Sequence, residues 1–136
     1  MLRPVPAALL ALALLAAPAH GAAGVKPISP KAGDAVPEAK RPTFKLSVKG
    51  RHTGVFVHVC KVAKRDRDGM ICNDEAFGRA KRKGNGRYEF RAPFFDLPDS
   101  WLNNPGTYYW QAYRTWCDDG LDDCKSEGPV VKFRVA

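Results

Sequence analysis

"PGTYYWQAYRTWCDDGLDDC", residues 105–124, decides how this chain folds. It holds three of the four tyrosines, two of the three tryptophans and two of the four cysteines. A strand has a side-chain period of two, so in 107–116 Tyr108, Trp110 and Ala112 share one face and Tyr109, Gln111 and Tyr113 the other. The first face reads as core. The hydroxyl of Tyr108 or Tyr109 is expected to bond back to nearby backbone, because a buried phenol needs a partner. The second face becomes an amphipathic aromatic strip if nothing covers it. Immediately behind the strand, Cys117 and Cys124 bracket a turn rich in Asp and Gly.

Working outward, similar short runs flank it on both sides. "TFKLSV" (43–48) sets Phe44, Leu46 and Val48 on one face. "GVFVHVCKV" (54–62) opposes Val55, Val57 and Val59 to Phe56, His58 and Cys60. "GRYEFRA" (86–92) pairs Tyr88 with Phe90, and "PVVKFRV" (129–135) aligns Val131, Phe133 and Val135. Gly-, Pro- and Asp-rich turn signals punctuate these runs, and no window carries a 3.6-residue period. "PDSWLNN" allows one helical turn with Asp99 or Ser100 as its cap, and Trp101 is expected to close the open end of the core. Seven strands are predicted, near 25–29, 42–48, 54–62, 76–82, 86–92, 106–115 and 129–135. Strands at this spacing without helices between them predict an all-β, seven-stranded antiparallel β-sandwich or barrel.

The N-terminus "MLRPVPAALLALALLAAPAHGAAG" carries one early charge, Arg3, then an apolar run from Ala7 to Ala17, then small residues. That order is a secretory signal peptide over residues 1–23, with cleavage after Gly21 or Ala23 left open. The run is shorter than the ~20 residues a spanning helix needs, so no membrane span is expected after cleavage. The domain is then 24–136. Removing the leader takes one of the 22 basic residues and none of the 14 acidic ones, so the net charge falls from +8 to +7. A basic secreted domain meets anionic polymers or surfaces, or simply stays soluble. Four cysteines in an exported chain read as two disulfides. The favoured pairing is Cys60–Cys72 and Cys117–Cys124, since each pair brackets a turn segment. Neither spacing is that of a zinc knuckle.

"PISPKAGDAV" (27–36) with "RPTFKLSV" (41–48), "PGTYYWQAYR" (105–114) and "SEGPVVKFRV" (126–135), in that order, resemble a fibronectin type III-like domain of the immunoglobulin-like class. More narrowly they resemble single-domain secreted bacterial proteins. The resemblance implies a seven-stranded sandwich acting in adhesion, scaffolding or presentation, and it brings no catalytic residues. The chain departs from an immunoglobulin domain proper, which joins its second and sixth strands by a disulfide. Here 42–48 has no cysteine.

The richest basic segment is "RAKRKGNGR" (79–87), which makes Arg79, Lys81, Arg82, Lys83 and Arg87 the candidate anion-binding residues. The competing reading is an edge strand whose lysines discourage sheet-to-sheet aggregation. Tyr109, Tyr113 and Trp116 are the candidate partner-binding residues. Asp118, Asp119, Asp122 and Asp123 do not follow the EF-hand spacing and read as a solvated acidic loop, so no metal and no cofactor is expected. No sequence-specific nucleic-acid motif is present. Ser47, Ser100 and Ser126 lie outside any nucleophile elbow, and neither His52 nor His58 sits in a catalytic spacing, so no enzyme is expected. The expected protein is a secreted, monomeric, non-catalytic module for an anionic envelope polymer or a protein partner. The alternative is a secreted inhibitor presenting a disulfide-held loop.

Overall fold

The computed structural model describes residues 24–93, 100–116 and 124–136. The segment 1–23 expected to be a signal peptide and the 118–123 acidic segment lie outside the described residues. The chain is all-β, and its described residues form ten strand segments in two sheets, consistent with a β-sandwich. In chain order they are β1 (Val25–Ser29), β2 (Ala35–Val36), β3 (Thr43–Val48), β4 (Gly54–Cys60), β5 (Ala76–Arg79), β6 (Lys81–Gly84), β7 (Arg87–Arg91), β8 (Gly106–Thr115), β9 (Lys125–Glu127) and β10 (Val131–Val135). The four-stranded sheet runs β1-β3-β7-β6. The six-stranded sheet runs β2-β10-β8-β4-β5, with β9 paired to the end of β8.

Every pairing is antiparallel except that of β2 with β10. The strand expected over 76–82 is two. β5 pairs with β4, the buried Ala80 continues that ladder by donating its N–H to Val55 O at 2.8 Å, and β6 then pairs with β7 in the opposite sheet. One short stretch of chain thus crosses from one layer to the other. Gly78 makes the crossing possible: a Cβ there would stand 2.3 Å from the Phe90 ring, which reaches over from the other sheet.

The core is what the alternation asked for. Phe44, Leu46, Val48, Val55, Val57, Val59, Tyr108, Trp110, Ala112, Val131, Phe133 and Val135 are all buried between the layers. Phe44 sits at its centre, with ring centroids 5.1 Å from Trp110, 5.8 Å from Phe133 and 6.0 Å from Phe90. Trp110 also donates its indole N–H to Pro30 O at 3.0 Å. Trp101 follows Ser100 in a single 3-10 turn and closes the core edge-on against Tyr108 and Phe133. The Tyr108 hydroxyl lies 2.7 Å from Asn104 O and 3.1 Å from Trp101 O, the backbone anchor expected of this strand. Among the described residues no helix is long and apolar enough to cross a membrane.

Candidate anion-binding face and cleft

β1, β3, β6 and β7 contain a single acidic residue, Glu89, and this composition fixes the character of their sheet. Phe44, Leu46 and Val48 point inward from β3, and Phe90 from β7. The pleat therefore turns Lys45 of β3 and Arg87, Glu89 and Arg91 of β7 to the outer surface. Registration adds the flanking strands. Lys45 lies opposite Glu89, which lies opposite Lys81 in β6. Ser47 lies between Lys26 of β1 and Arg87. Lys26, Lys45, Lys81, Lys83, Arg87 and Arg91 are all exposed. Lys81, Lys83, Glu89 and Arg91 share a groove of about 560 Å³ with Arg41 and Arg79.

A second hollow, of about 700 Å³, opens on the other side of the crossing. Its inner surface is Gly54, Val55 and Ala80, and its walls carry Arg79, Lys81, Arg82, His52 and Tyr88. Arg79 donates to Thr53 O at 2.8 Å and lies 5.9 Å from the centroid of the Phe56 ring. Arg82 donates from Nε to Gly84 O at 3.3 Å. These carbonyls hold the guanidinium groups without neutralising them. His52 contacts Gly50 O through Nδ1 at 2.8 Å and the Tyr88 hydroxyl through Nε2, which orders that wall.

Four of the five candidate anion-binding residues gather around the β5–β6 crossing, and Arg87 stands apart beside the β6–β7 turn. Arg79, Lys81 and Arg82 line the cleft, Lys83 with Lys81 lines the neighbouring groove, and Arg87 stands on the outer face. Lys26, Lys45 and Arg41 were not legible as members, because they lie in chain segments far from 79–87.

The candidate partner residues separate. Tyr109 and Tyr113 face outward on the six-stranded sheet, but the fully buried Gln111 between them is covered by the loop 61–75. That loop is stapled by the Cys60–Cys72 disulfide, as expected. Gln111 accepts from Ile71 N–H at 2.8 Å and donates to Gly69 O and Gly128 O at 2.9 and 3.0 Å. His58, on the same face, bonds Ile71 O through Nδ1 at 3.0 Å. The aromatic strip consequently runs across the strands instead of along β8. Tyr113 stacks on Phe56 at 5.3 Å, Phe56 on Phe77 at 6.1 Å, and His58 meets Phe77 and Tyr113 edge-on. Trp116 has the opposite parity and lies under the Arg114 guanidinium at 5.0 Å, while Arg114 bonds Arg51 O. Cys124 is disulfide-bonded, and its expected partner Cys117 lies outside the described residues. Among the described residues no group of His, Cys, Asp and Glu is placed to hold a metal ion.

The chain is thus an all-β, two-sheet protein carrying a loop disulfide and a basic sheet face. No protein-family model matches it, and no curated protein matches it in sequence. The disulfide is compatible with an extracellular protein.

Proposed function

We propose that this is a secreted, non-catalytic β-sandwich module of the fibronectin type III-like, immunoglobulin-like kind, which binds an anionic cell-envelope polymer. Strand order supports the class. Read as A, B, E and D, the β1-β3-β7-β6 sheet has the ABED order, and β10-β8-β4 reads as G, F and C. The observation that carries the binding is the outer face of the four-stranded sheet. Lys26, Lys45, Lys81, Lys83, Arg87 and Arg91 converge there from four strands with only Glu89 among them. A polyanion bound to such a face releases its counterions, so affinity falls steeply with salt.

Retention of the protein on immobilised anionic polymers and on cell envelopes, across a salt gradient, tests this. The variant with Lys81, Arg82 and Lys83 changed to Glu is expected to lose retention at low salt. Changing Lys132 and Arg134, on exposed positions of β10, to Glu is expected to leave most of it. Losses from both in proportion to the charge reversed would reduce the effect to net charge and end the proposal.

The inhibitor reading draws on one observation: the stapled loop is held by Gln111 and His58 and exposes Lys64, Arg65 and Arg67. A panel of secreted proteases and glycosidases left fully active by the protein would remove it.

A further inference from the structure

The flat basic face explains attraction to a polyanion but not selection among polyanions. We propose that the cleft at the β5–β6 crossing is a specific site for a phosphate-type oxyanion carried on a sugar-sized unit. This deepens the polymer-binding reading above, and it rests on that reading only for the identity of the natural ligand.

Three observations converge. The walls bring together Arg79, Lys81 and Arg82 with no carboxylate among the lining residues. Among the described residues the one ion pair is Lys125 with Asp68, and the carboxylate nearest in register is Glu89, opposite Lys81 and in the neighbouring groove, outside the cleft lining. Fixed positive charge in a lining without a carboxylate favours a dianion over a monoanion, because Coulomb attraction scales with ligand charge. The second observation is preorganisation. Arg79 is fixed by Thr53 O and the Phe56 ring, and Arg82 by Gly84 O. A guanidinium anchored by one donor keeps others for bidentate contact with an oxyanion.

The third observation is size and lining. A volume of about 700 Å³ exceeds a bare phosphate and falls in the range of small-ligand sites. Val55, Ala80 and Gly54 give an apolar floor, and the ordered His52–Tyr88 pair gives one polar wall. That combination suits a sugar ring behind the charged group. A bare ion would use only the rim.

The test is titration of the isotope-labelled protein with inorganic phosphate, a hexose 6-phosphate and acetate at constant ionic strength, followed by backbone amide shifts. The expected result is saturable shifts at Thr53, Gly54, Arg82 and Gly86, with hexose phosphate tighter than phosphate and acetate weakest. Arg79→Gln and Arg82→Gln should each weaken phosphate binding about tenfold, the loss of one charge-assisted hydrogen bond. Lys45→Gln, on the outer face, should leave phosphate binding unchanged and lower polymer retention. Acetate binding as well as phosphate, or shifts that spread over all basic residues without saturating, would overturn the site. Equal binding of phosphate and hexose phosphate would overturn its sugar-bearing part. Saturable phosphate binding without polymer retention would remove the module reading and leave the cleft. Retention without phosphate binding would do the reverse.

Discussion

Gln111 is the residue that most changes the reading of β8. A fully buried primary amide is tolerated only when its donors and acceptor are matched, and all three of its bonds end on backbone of other segments. Gln111→Ala would orphan Ile71 N–H and Gly128 O, at about 1 kcal/mol or more apiece, and leave Gly69 O with only the 3.4 Å bond from Arg65. A loss of about 2–3 kcal/mol in urea denaturation is expected. His58 beside it has a pKa held below its ordinary 6.5, first by burial, against the opposing effects of the Ile71 carbonyl and Asp66 and with a small push from Lys125. The unfolded chain therefore takes up this proton more readily than the folded one. The stability that His58 contributes is complete above about pH 6.5 and declines as pH falls through the lower folded value. His58→Gln should flatten that slope in denaturation curves collected between pH 7 and 5. At the core face of β8, Trp110→Ala empties the centre of the core and is expected to cost about 3–5 kcal/mol.

Among the elements, the stapled loop 61–75 differs from an ordinary surface excursion. It buries Met70 and Ile71 against the six-stranded sheet and carries its own turn, in which Asp66 accepts from Asp68 and Met70 N–H at 2.8 and 3.0 Å. Those bonds, led by that from Met70, hold the Asp66 carboxyl below its usual range. Replacing Cys60 and Cys72 by Ala should cost about 2–3 kcal/mol by the chain-entropy argument for a loop of this length. Hydrogen exchange at Ile71 and Met70 should accelerate beyond what the global loss explains, while β3 and β8 keep their relative protection. The β5–β6 crossing is the second distinctive element. Gly78→Ala drives a methyl into Phe90 and is expected to cost about 1–3 kcal/mol.

At the scale of the whole molecule, the two layers have different outer surfaces. The four-stranded sheet offers cations, and the six-stranded sheet offers a loop and a cross-strand aromatic row. A double change of Lys26 and Lys45 to Glu is expected to weaken polymer retention as much as the same change at Lys81 and Lys83. The residues share one face despite their separation in the chain. A marked difference between the two variants in the salt needed for elution would show that the polymer follows the 79–87 segment and not the face.

The sequence by itself determined the all-β class, the positions of β1, β3, β4, β7, β8 and β10, the core faces of β3, β8 and β10 and the Cys60–Cys72 bridge. These follow from local rules, since a period of two, turn residues and cysteine spacing all act within a few residues. It also marked Arg79, Lys81, Arg82, Lys83 and Arg87, because they are contiguous. Only the tertiary structure decided that β5 and β6 belong to different sheets, that Lys26 and Lys45 join the basic face, and that a loop covers Gln111. The short β2 and β9 likewise have no signal of their own and exist through their partners β10 and β8. Each of these is a pairing between distant segments, settled by register and by which surface buries which, and a single chain's local pattern does not encode it.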